Sequence, residues 1–229
     1  MASNSATMLA TQQSIKAYVD AVDVPTTRNL LINGAMEVAQ KGGGSHTTAG
    51  QTYWVDRFYT YMQGGEKTAT YTTDAPAGFK HSLKIQRDNG SSVTDPTYFS
   101  QPCESASCVG FAGSKITLSF YARKGANFSP TSDYINVAVH SSTGTDQALM
   151  DGITGNVNVI GTVNQAITAD WVRYTFTSSS TVPADSNQLH FQIIVSPTGT
   201  AGANDWYEIT GVQIEKGESA TVFQHEEYG

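Results

Sequence analysis

Histidines, cysteines and carboxylates are the side chains of this chain that could do chemistry, and they do not form a recognised catalytic pattern. No histidine belongs to an HExxH-type metal-binding pattern, and no serine lies in the GxSxG turn of a hydrolase. The run Gly42-Gly43-Gly44 lacks the Lys and Ser/Thr that a phosphate-binding loop requires. We therefore predict that the chain is not an enzyme and binds no cofactor. The five histidines are His46, His81, His140, His190 and His225.

Paired carboxylates are the one catalytic arrangement that the sequence leaves open. Two Asp or Glu side chains that flank a glycosidic bond can hydrolyse it, and the distance between their carboxyl groups decides the stereochemical course. Sequence spacing does not give that distance, so a glycan-degrading enzyme stays as the less favoured alternative. The candidate carboxylates are Asp56, Asp133, Asp151, Asp170, Asp185, Asp205 and Glu208.

Cys103 and Cys108 stand five residues apart in the segment QPCESASCVG. They are interpreted either as ordinary thiols beside a strand or as a disulfide that closes a short loop once the chain has left a reducing cytoplasm. A zinc site would need two further soft ligands, and neither a second cysteine pair nor an adjacent histidine supplies them. We therefore predict that the chain holds no metal.

The composition argues against nucleic acid and membrane partners. The 229 residues include 13 basic and 20 acidic side chains, which gives a formal net charge of −7. No cluster of Lys and Arg provides a surface for a phosphate backbone, and no apolar run approaches the roughly 18 residues that span a bilayer. The N-terminus has neither the basic start nor the apolar core of a secretory signal. We expect synthesis in a cytoplasm without signal-directed export.

From residue 29 onward, apolar residues repeat at every second position. In Lys115–Arg123 every second residue is apolar, and the same alternation recurs in 172–177 and 189–195. Alternation is typical of strands with one buried and one solvated face, so it predicts a solvated side chain for His190. Turns rich in Gly, Ser and Asn separate these strands. We therefore predict that residues 29–229 form one all-β sandwich domain.

Residues 1–28 have a different pattern and form a separate predicted segment, a single N-terminal helix. Between Thr7 and Val22 the chain contains neither Gly nor Pro, and Pro25 ends the pattern. A seam at heptad spacing runs over about two heptads, too short for a coiled coil that stands alone. The helix is either docked on its own domain or part of a short three-helix bundle at a trimer axis. The seam residues are Met8, Thr11, Ile15, Tyr18 and Val22.

Four segments match one protein family in sequence and in order. The first, NLLINGAMEVAQKG (29–42), is interpreted as an apolar strand that ends in an Asn33-Gly34 turn. The others are YWVDRFY (53–59), GSKITLSFYARKG (113–125) and the closing GVQIEKGESATVFQHEEYG (211–229). Together they resemble the jelly-roll domain of tail-fibre and other appendage proteins of tailed bacteriophages.

The resemblance implies a jelly-roll sandwich and a structural role in a phage virion. The favoured function is a short tail fibre or receptor-binding tip that binds host surface polysaccharide without catalysis. The alternative is a head fibre or capsid decoration protein. Because phage fibres are commonly trimeric, the resemblance favours a homotrimer whose residues 1–28 attach it to other tail or capsid proteins. The expected location is the outside of the virion, after assembly in the host cytoplasm.

Aromatic side chains are candidates for sugar contact, because the C–H face of a sugar packs on an aromatic ring. If residues 53–61 form one strand, Tyr53, Tyr59 and Tyr61 share one face, whereas Trp54 and Phe58 share the core face. The tyrosine face is interpreted as a sugar-binding surface, a contact between subunits or a part of the core.

Two further aromatic residues and one charged pair complete the candidates. Phe128 and Tyr134 flank a Ser-Pro-Thr-Ser loop and are predicted to be exposed, as additional glycan or subunit contacts. Asp56 and Arg57 would point to opposite faces of a strand, so they cannot pair with one another. Each is predicted to hold a neighbouring strand or loop in place.

Overall fold

Strands and connecting loops make up nearly all of the described chain. The computed structural model describes residues 29–46 and 49–225. The predicted helix with its seam of Met8, Thr11, Ile15, Tyr18 and Val22 lies outside these residues. The strands are β1 (Gly43–His46), β2 (Gly50–Val55), β3 (Phe58–Met62), β4 (Lys67–Thr72), β5 (Ser82–Arg87), β6 (Thr97–Pro102), β7 (Ile116–Lys124), β8 (Tyr134–Ser142), β9 (Val157–Ala166), β10 (Val172–Thr177), β11 (Gln188–Val195) and β12 (Trp206–Lys216). The helical elements are α1 (Ser105–Cys108) and two 3-10 turns, Thr131–Asp133 and Leu149–Asp151.

The strands form two antiparallel six-stranded sheets that pack face to face. The first sheet has the order β1-β4-β5-β12-β7-β10 and the second the order β2-β3-β6-β11-β8-β9. Among β5 to β12, strand β5 pairs with β12, β6 with β11, β7 with β10 and β8 with β9. This nested pairing is the connectivity of a jelly roll. The predicted all-β sandwich is therefore confirmed. Within 29–46 and 49–225, no helix is long and apolar enough to cross a membrane.

The core lies between the sheets and is built by the alternation that the sequence shows. The Phe58 and Phe99 rings stack at 5.0 Å between centroids, and the Phe191 ring packs edge-on against both at 6.1 and 5.9 Å. Burying each such side chain contributes about 1.5–3 kcal/mol to folding. The completely buried apolar residues of β7 and β11 are Ile116, Leu118, Phe120, Leu189, Phe191 and Ile193.

The segment that precedes β1 is not the strand that the sequence suggested. Residues 29–38 form turns and irregular chain that dock on β12. The Asn29 side chain accepts from the backbone N–H of Ile214 at 3.1 Å and donates to the Val212 carbonyl at 3.0 Å. Gly34 approaches β12 so closely that a Cβ there would lie 2.1 Å from the Val212 oxygen. Residues 29–38 are therefore held against β12 by Asn29 and Gly34.

The closing segment has a comparable role on the outer face of the first sheet. The backbone N–H and the hydroxyl of Thr221 donate to the two Glu215 carboxylate oxygens at 2.8 and 2.7 Å. The backbone N–H of Gln224 donates to the Gln213 side-chain oxygen at 3.0 Å. Gln213 and Glu215 are both buried. The polar residues of the GVQIE motif thus bind the chain that follows them.

A buried arginine joins three loops at one end of the sandwich. Arg87 pairs with Asp205 at 2.9 Å, and both side chains are at most 5% exposed. Its guanidinium also donates to the backbone carbonyls of Ser91, Val93 and Gly199 at 2.7–3.1 Å. Arginine suits this position because its planar guanidinium presents five N–H donors in fixed directions, which allows one side chain to bind several loops.

Residues 53–61 are a hairpin and not one strand, although Tyr53, Tyr59 and Tyr61 still lie apart from the core residues Trp54 and Phe58. β2 ends at Val55 and β3 begins at Phe58, so Asp56 and Arg57 form the turn between them. Arg57 has a φ of 73°, the left-handed conformation of a tight turn. As predicted, the two side chains make separate contacts: Asp56 accepts from the Gln40 backbone N–H at 3.1 Å, and Arg57 pairs with Glu104.

Candidate functional site

Tyrosines cluster on the outer face of the second sheet, the side that points away from the first sheet. Strand register places Tyr61 opposite Tyr98, and their ring centroids are 6.0 Å apart. Tyr53 packs edge-on against Tyr59 at 6.1 Å. Tyr98 was missed by the sequence reasoning, although the alternation of Thr97–Pro102 would have placed it on the polar face. Three strands thus contribute aromatic rings to one face.

The β8–β9 loop, residues 143–156, covers part of this face. Tyr59, Ser100 and Gln192 point outward yet are at most 7% exposed. The backbone of Met150 lies against the Tyr59 hydroxyl, and burial raises the pKa of Tyr59. Tyr59 is therefore not the exposed contact residue that the sequence suggested. What remains accessible is the surface on either side of the loop.

A cleft of about 270 Å³ opens beside this loop, where β6 passes into α1. The β2–β3 hairpin contributes Tyr53 and Arg57, and the loop contributes Asp146 and Gln147. Tyr53 is 46% exposed, more than Tyr134 at 38%, the other exposed aromatic residue of the described chain. We call this site the Tyr53 cleft. It combines one accessible aromatic ring with walls of mixed polar and apolar residues.

The polar groups of the Tyr53 cleft are held by one another. Arg57 Nη2 lies 3.0 Å from Glu104 Oε1, and both side chains are about half exposed. The Asp146 carboxylate accepts from the Ser105 backbone N–H at 2.8 Å, and the Ser105 hydroxyl accepts from the Asp146 backbone N–H at 3.0 Å. Because each charge has a partner, the cleft is preorganised without a strong net field.

Gln188, which is 1% exposed, fixes the inner side of the Tyr53 cleft. Its amide nitrogen donates to the carbonyls of Cys103 and Gln147 at 2.7 and 3.0 Å. Its amide oxygen accepts from the Gln147 backbone N–H at 2.8 Å. One buried side chain thereby joins β6, β11 and the β8–β9 loop, so the cleft walls keep their spacing.

Cys103 and Cys108 are buried free thiols at the edge of the Tyr53 cleft. They hydrogen-bond one another, and the Leu189 backbone N–H donates to the Cys108 sulfur at 3.3 Å. Contact with Cys108, together with burial, raises the pKa of the Cys103 thiol. The arrangement agrees with the interpretation as ordinary thiols. A disulfide under oxidising conditions stays a prediction.

His190 is completely buried, so the prediction of a solvated side chain is wrong. Its Nε2 lies 3.0 Å from the Ser142 hydroxyl. Burial, with a smaller contribution from His140, lowers the pKa of His190 to about 4. Burial lowers the pKa of His140 as well, and its Nδ1 lies 3.1 Å from the Asn156 side-chain oxygen. Alternation predicted the outward direction of His190 but not the loop that covers it.

The remaining aromatic candidates lie apart from the cleft. Phe128 is 8% exposed and packs edge-on against Tyr207 at 6.3 Å, so the prediction that it is exposed is wrong. Tyr134 is 38% exposed at the opposite end of the second sheet's outer face. Tyr61 is partly exposed beside Tyr98. Of the predicted contact residues, Tyr53 alone lines the Tyr53 cleft.

The carboxylates named from the sequence are dispersed. Asp205 pairs with Arg87, and Glu208 pairs with Arg123 at 2.6 Å on the first sheet. Burial raises the pKa of Glu208, and the arginine opposes that effect. Among the residues that the structure describes, no group of three or more His, Cys, Asp and Glu side chains could hold a metal ion. Asp205 and Glu208 thus serve as partners of arginines, and Asp133 pairs with Lys124 at 3.0 Å.

Comparison with known proteins gives similarity of fold only. No protein-family model and no curated protein matches the chain. The solved enzymatically active domain of tailspike protein 4 of bacteriophage CBA120 matches at a TM-score of 0.47 and 12% identity, over 82% of this chain and 21% of that chain. This chain therefore corresponds to about a fifth of the tailspike chain.

Carbohydrate-binding modules are also among the similar structures. A xylan-binding domain from Paenibacillus barcinonensis matches at a TM-score of 0.41 and 15% identity, over 84% of this chain and 94% of that chain. A C-terminal family 22 carbohydrate binding module of Clostridium thermocellum matches at a TM-score of 0.45 and 12% identity, over 81% of this chain and 100% of that chain.

Proposed function

We propose that this chain is a non-catalytic, glycan-binding part of a tailed-phage virion, and that its Tyr53 cleft holds the sugar. The observation that carries the proposal is the half-exposed Tyr53 ring in the wall of a cleft that also presents polar side chains, among them Arg57 and Gln147. Sugars present apolar C–H faces as well as hydroxyls, and they bind where an aromatic ring lies beside hydrogen-bonding groups. The cleft offers both kinds of contact.

The charges of the cleft favour an uncharged sugar. Arg57 is paired with Glu104, and Asp146 accepts a backbone N–H of Ser105. An anionic ligand would have to separate the first pair and would meet two carboxylates. Hydroxyl groups can bind beside these pairs and leave them intact.

The same pairs support binding without catalysis. Hydrolysis of a glycoside needs one carboxyl group that gives a proton and a second that acts as base or nucleophile. In the cleft, Glu104 is held by Arg57, and Asp146 is held by Ser105. Both carboxylates are thus engaged in contacts that hold the cleft walls.

The resemblance of four segments to phage appendage proteins supports a place on the virion. We propose a short tail fibre or its receptor-binding tip, assembled as a homotrimer through residues 1–28. Three copies would bind a repeating host surface polysaccharide together, so weak contacts in single clefts would add up to strong attachment. A head fibre or capsid decoration protein is the alternative use of the same domain.

Substitution of Tyr53 tests the glycan-binding proposal. We expect binding of the purified protein to a printed array of bacterial surface glycans, and we expect Tyr53→Ala to weaken it about tenfold or more, because the ring supplies the apolar contact. Tyr134→Ala is the matched control, since Tyr134 is 38% exposed on the same face but does not line the cleft. Wild-type binding by Tyr53→Ala, or equal losses in both variants, would contradict the assigned site.

A further inference from the structure

Four buried polar atoms on the outer face of the second sheet make no well-directed hydrogen bond to another described residue. They are Tyr59 Oη, Ser100 Oγ, His140 Nε2 and His190 Nδ1. The Tyr59 hydroxyl lies beside the Ser100 hydroxyl and the Met150 backbone, and His140 lies beside the Asn158 side chain. None of these contacts gives the four atoms a well-directed hydrogen bond. Unpaired buried polar atoms are rare, because each has lost water without gaining a partner. A cluster of four therefore requires a physical explanation.

Strand register makes these atoms one continuous patch. Tyr59 lies opposite Ser100, and His190 lies opposite His140. Pro102 lies opposite His190, so Ser100, two residues earlier on β6, is the diagonal neighbour of His190. The patch crosses the adjacent strands β3, β6, β11 and β8, a width of about 14 Å at the usual strand spacing. We call it the polar patch.

The cover of the polar patch belongs to the same loop that forms one wall of the Tyr53 cleft. The Leu149–Asp151 turn lies over Tyr59, whereas Asp146 and Gln147 line the cleft. Residues 146 and 147 are anchored to Ser105 and Gln188. The backbone–backbone bonds of the turn are local, from Asp151 to Ala148 and from Gly152 to Leu149, and its Met150 backbone contacts the Tyr59 hydroxyl. The turn can therefore shift while the cleft wall stays in place.

We infer that the polar patch is an inner subsite of the Tyr53 cleft, and that hydroxyl groups of a neutral sugar pair with its four atoms when the Leu149–Asp151 turn moves aside. The inference rests on the proposed glycan binding. Hydroxyls and neutral imidazole nitrogens donate or accept according to tautomer and rotation, so they match sugar hydroxyls better than a carboxylate or phosphate. The patch would add polar selectivity to the apolar contact with Tyr53.

Trapped water is the competing explanation, and it predicts different behaviour. If water bridges the patch, removing a hydroxyl leaves that water short of a partner, so the free protein loses stability and sugar binding is unchanged. If the atoms are unpaired until a sugar arrives, removing a hydroxyl removes an unsatisfied group. The free protein then keeps or gains stability, and sugar binding weakens.

The test combines two hydroxyl-removing variants with a direct view of both parts of the site. Wild type, Tyr59→Phe, Ser100→Ala and Tyr53→Ala are titrated with a mixture of methyl glycosides of neutral hexoses, pentoses and deoxyhexoses, and ring signals of Tyr53 and His190 are followed by NMR. We expect both rings to shift in wild type. Each hydroxyl-removing variant should bind about 2- to 10-fold more weakly, with an unchanged or higher Tm.

The outcomes separate this inference from the proposed function. A shift of the Tyr53 signals without any shift at His190 would overturn the inner subsite and leave glycan binding in place. No shift at either ring would overturn both. A lower Tm with unchanged affinity in Tyr59→Phe and Ser100→Ala would assign the patch to bound water and also overturn the inference.

Discussion

The imidazole of His190 lies beneath the β8–β9 loop, with Ser142 as its hydrogen-bond partner and His140 beside it. Burial lowers its pKa from 6.5 to about 4. In the unfolded chain the ring would return to water and to its ordinary pKa. Between these two values the unfolded state therefore binds more protons than the folded state. Stability that is present above about pH 6.5 is lost as the pH falls toward 4.

The prediction at this scale is a histidine-dependent acid sensitivity. The shift of His190 corresponds to up to about 3 kcal/mol of unfolding free energy lost between pH 7 and pH 4. His190→Gln keeps a hydrogen-bonding side chain near Ser142 but has no charge to acquire, so we expect a smaller loss over the same range. Urea unfolding of wild type and His190→Gln at pH 7 and pH 4.5 measures the unfolding free energy that each protein loses over this range. Carboxylate titration is common to both, so equal losses would show that His190 does not titrate as its burial requires.

At the residue scale, the sequence predicted which face of the sheet a side chain points to better than it predicted whether that side chain is exposed to solvent. Alternation placed Tyr53, Tyr59 and His190 on outward faces, and all three do point away from the first sheet. It could not show that the β8–β9 loop, 34 to 47 residues before His190 in sequence, would cover that residue and Tyr59 and leave Tyr53 open. Exposure depends on tertiary contacts of irregular chain, which leave no periodic signal.

At the element scale, the docking of residues 29–38 on β12 is the contact most open to a direct test. Gly34 contacts β12 through its backbone, because its carbonyl accepts a hydrogen bond from the Val212 backbone N–H at 2.9 Å. Gly34→Ala would place a methyl group 2.1 Å from the Val212 oxygen and 2.8 Å from the Asn29 side chain. We expect it to lower the unfolding free energy by about 1–3 kcal/mol, because the segment must move away from β12.

Gly161→Ala is the control for that prediction. Gly161 lies in β9, and a Cβ there would meet nothing within 4 Å. Its unfolding free energy should stay within about 0.5 kcal/mol of wild type. Chemical denaturation of the three proteins gives the comparison. If Gly34→Ala is as stable as Gly161→Ala, the close approach to β12 is not needed for folding.

The sequence predicted the regular elements well and the turns less well. β7 and β11 have the expected alternation because a core on one side requires an apolar residue at every second position. The turn between β2 and β3 was missed because its left-handed residue is Arg57 and not Gly or Asn. Residues 29–38 were mistaken for a strand because their apolar residues Leu30, Leu31 and Met36 join the core without entering a sheet.

At the scale of the whole molecule, irregular chain covers part of both outer faces of the sandwich. The closing segment buries Gln213 and Glu215 on the first sheet, and the β8–β9 loop buries Tyr59 and His190 on the second. The area of flat sheet that faces solvent on the two outer faces is thereby reduced. The proposed recognition site, the Tyr53 cleft, lies where loops meet the sheet edge, which is the usual division between a rigid scaffold and functional loops.

The segments that resemble phage appendage proteins are mainly architectural. Asn29 and Gly34 hold the opening segment on β12, and Glu215 holds Thr221 of the closing segment. Such contacts explain why these residue types occur together with this sandwich. They belong to the scaffold and would serve a tail fibre and a capsid decoration protein equally well. Position on the particle therefore has to be measured directly.

Labelling of intact virions is the measurement that decides position. We expect gold-labelled antibody raised against residues 29–225 to mark the tail of the source phage, because a receptor-binding part must reach the host surface first. Label spread over the head would contradict the tail assignment and make decoration the working function, with the Tyr53 cleft acting in weak adhesion of the whole particle. Label on no particle would remove the virion role and leave a glycan-binding sandwich to be explained. Pre-immune serum on the same particles is the control for each case.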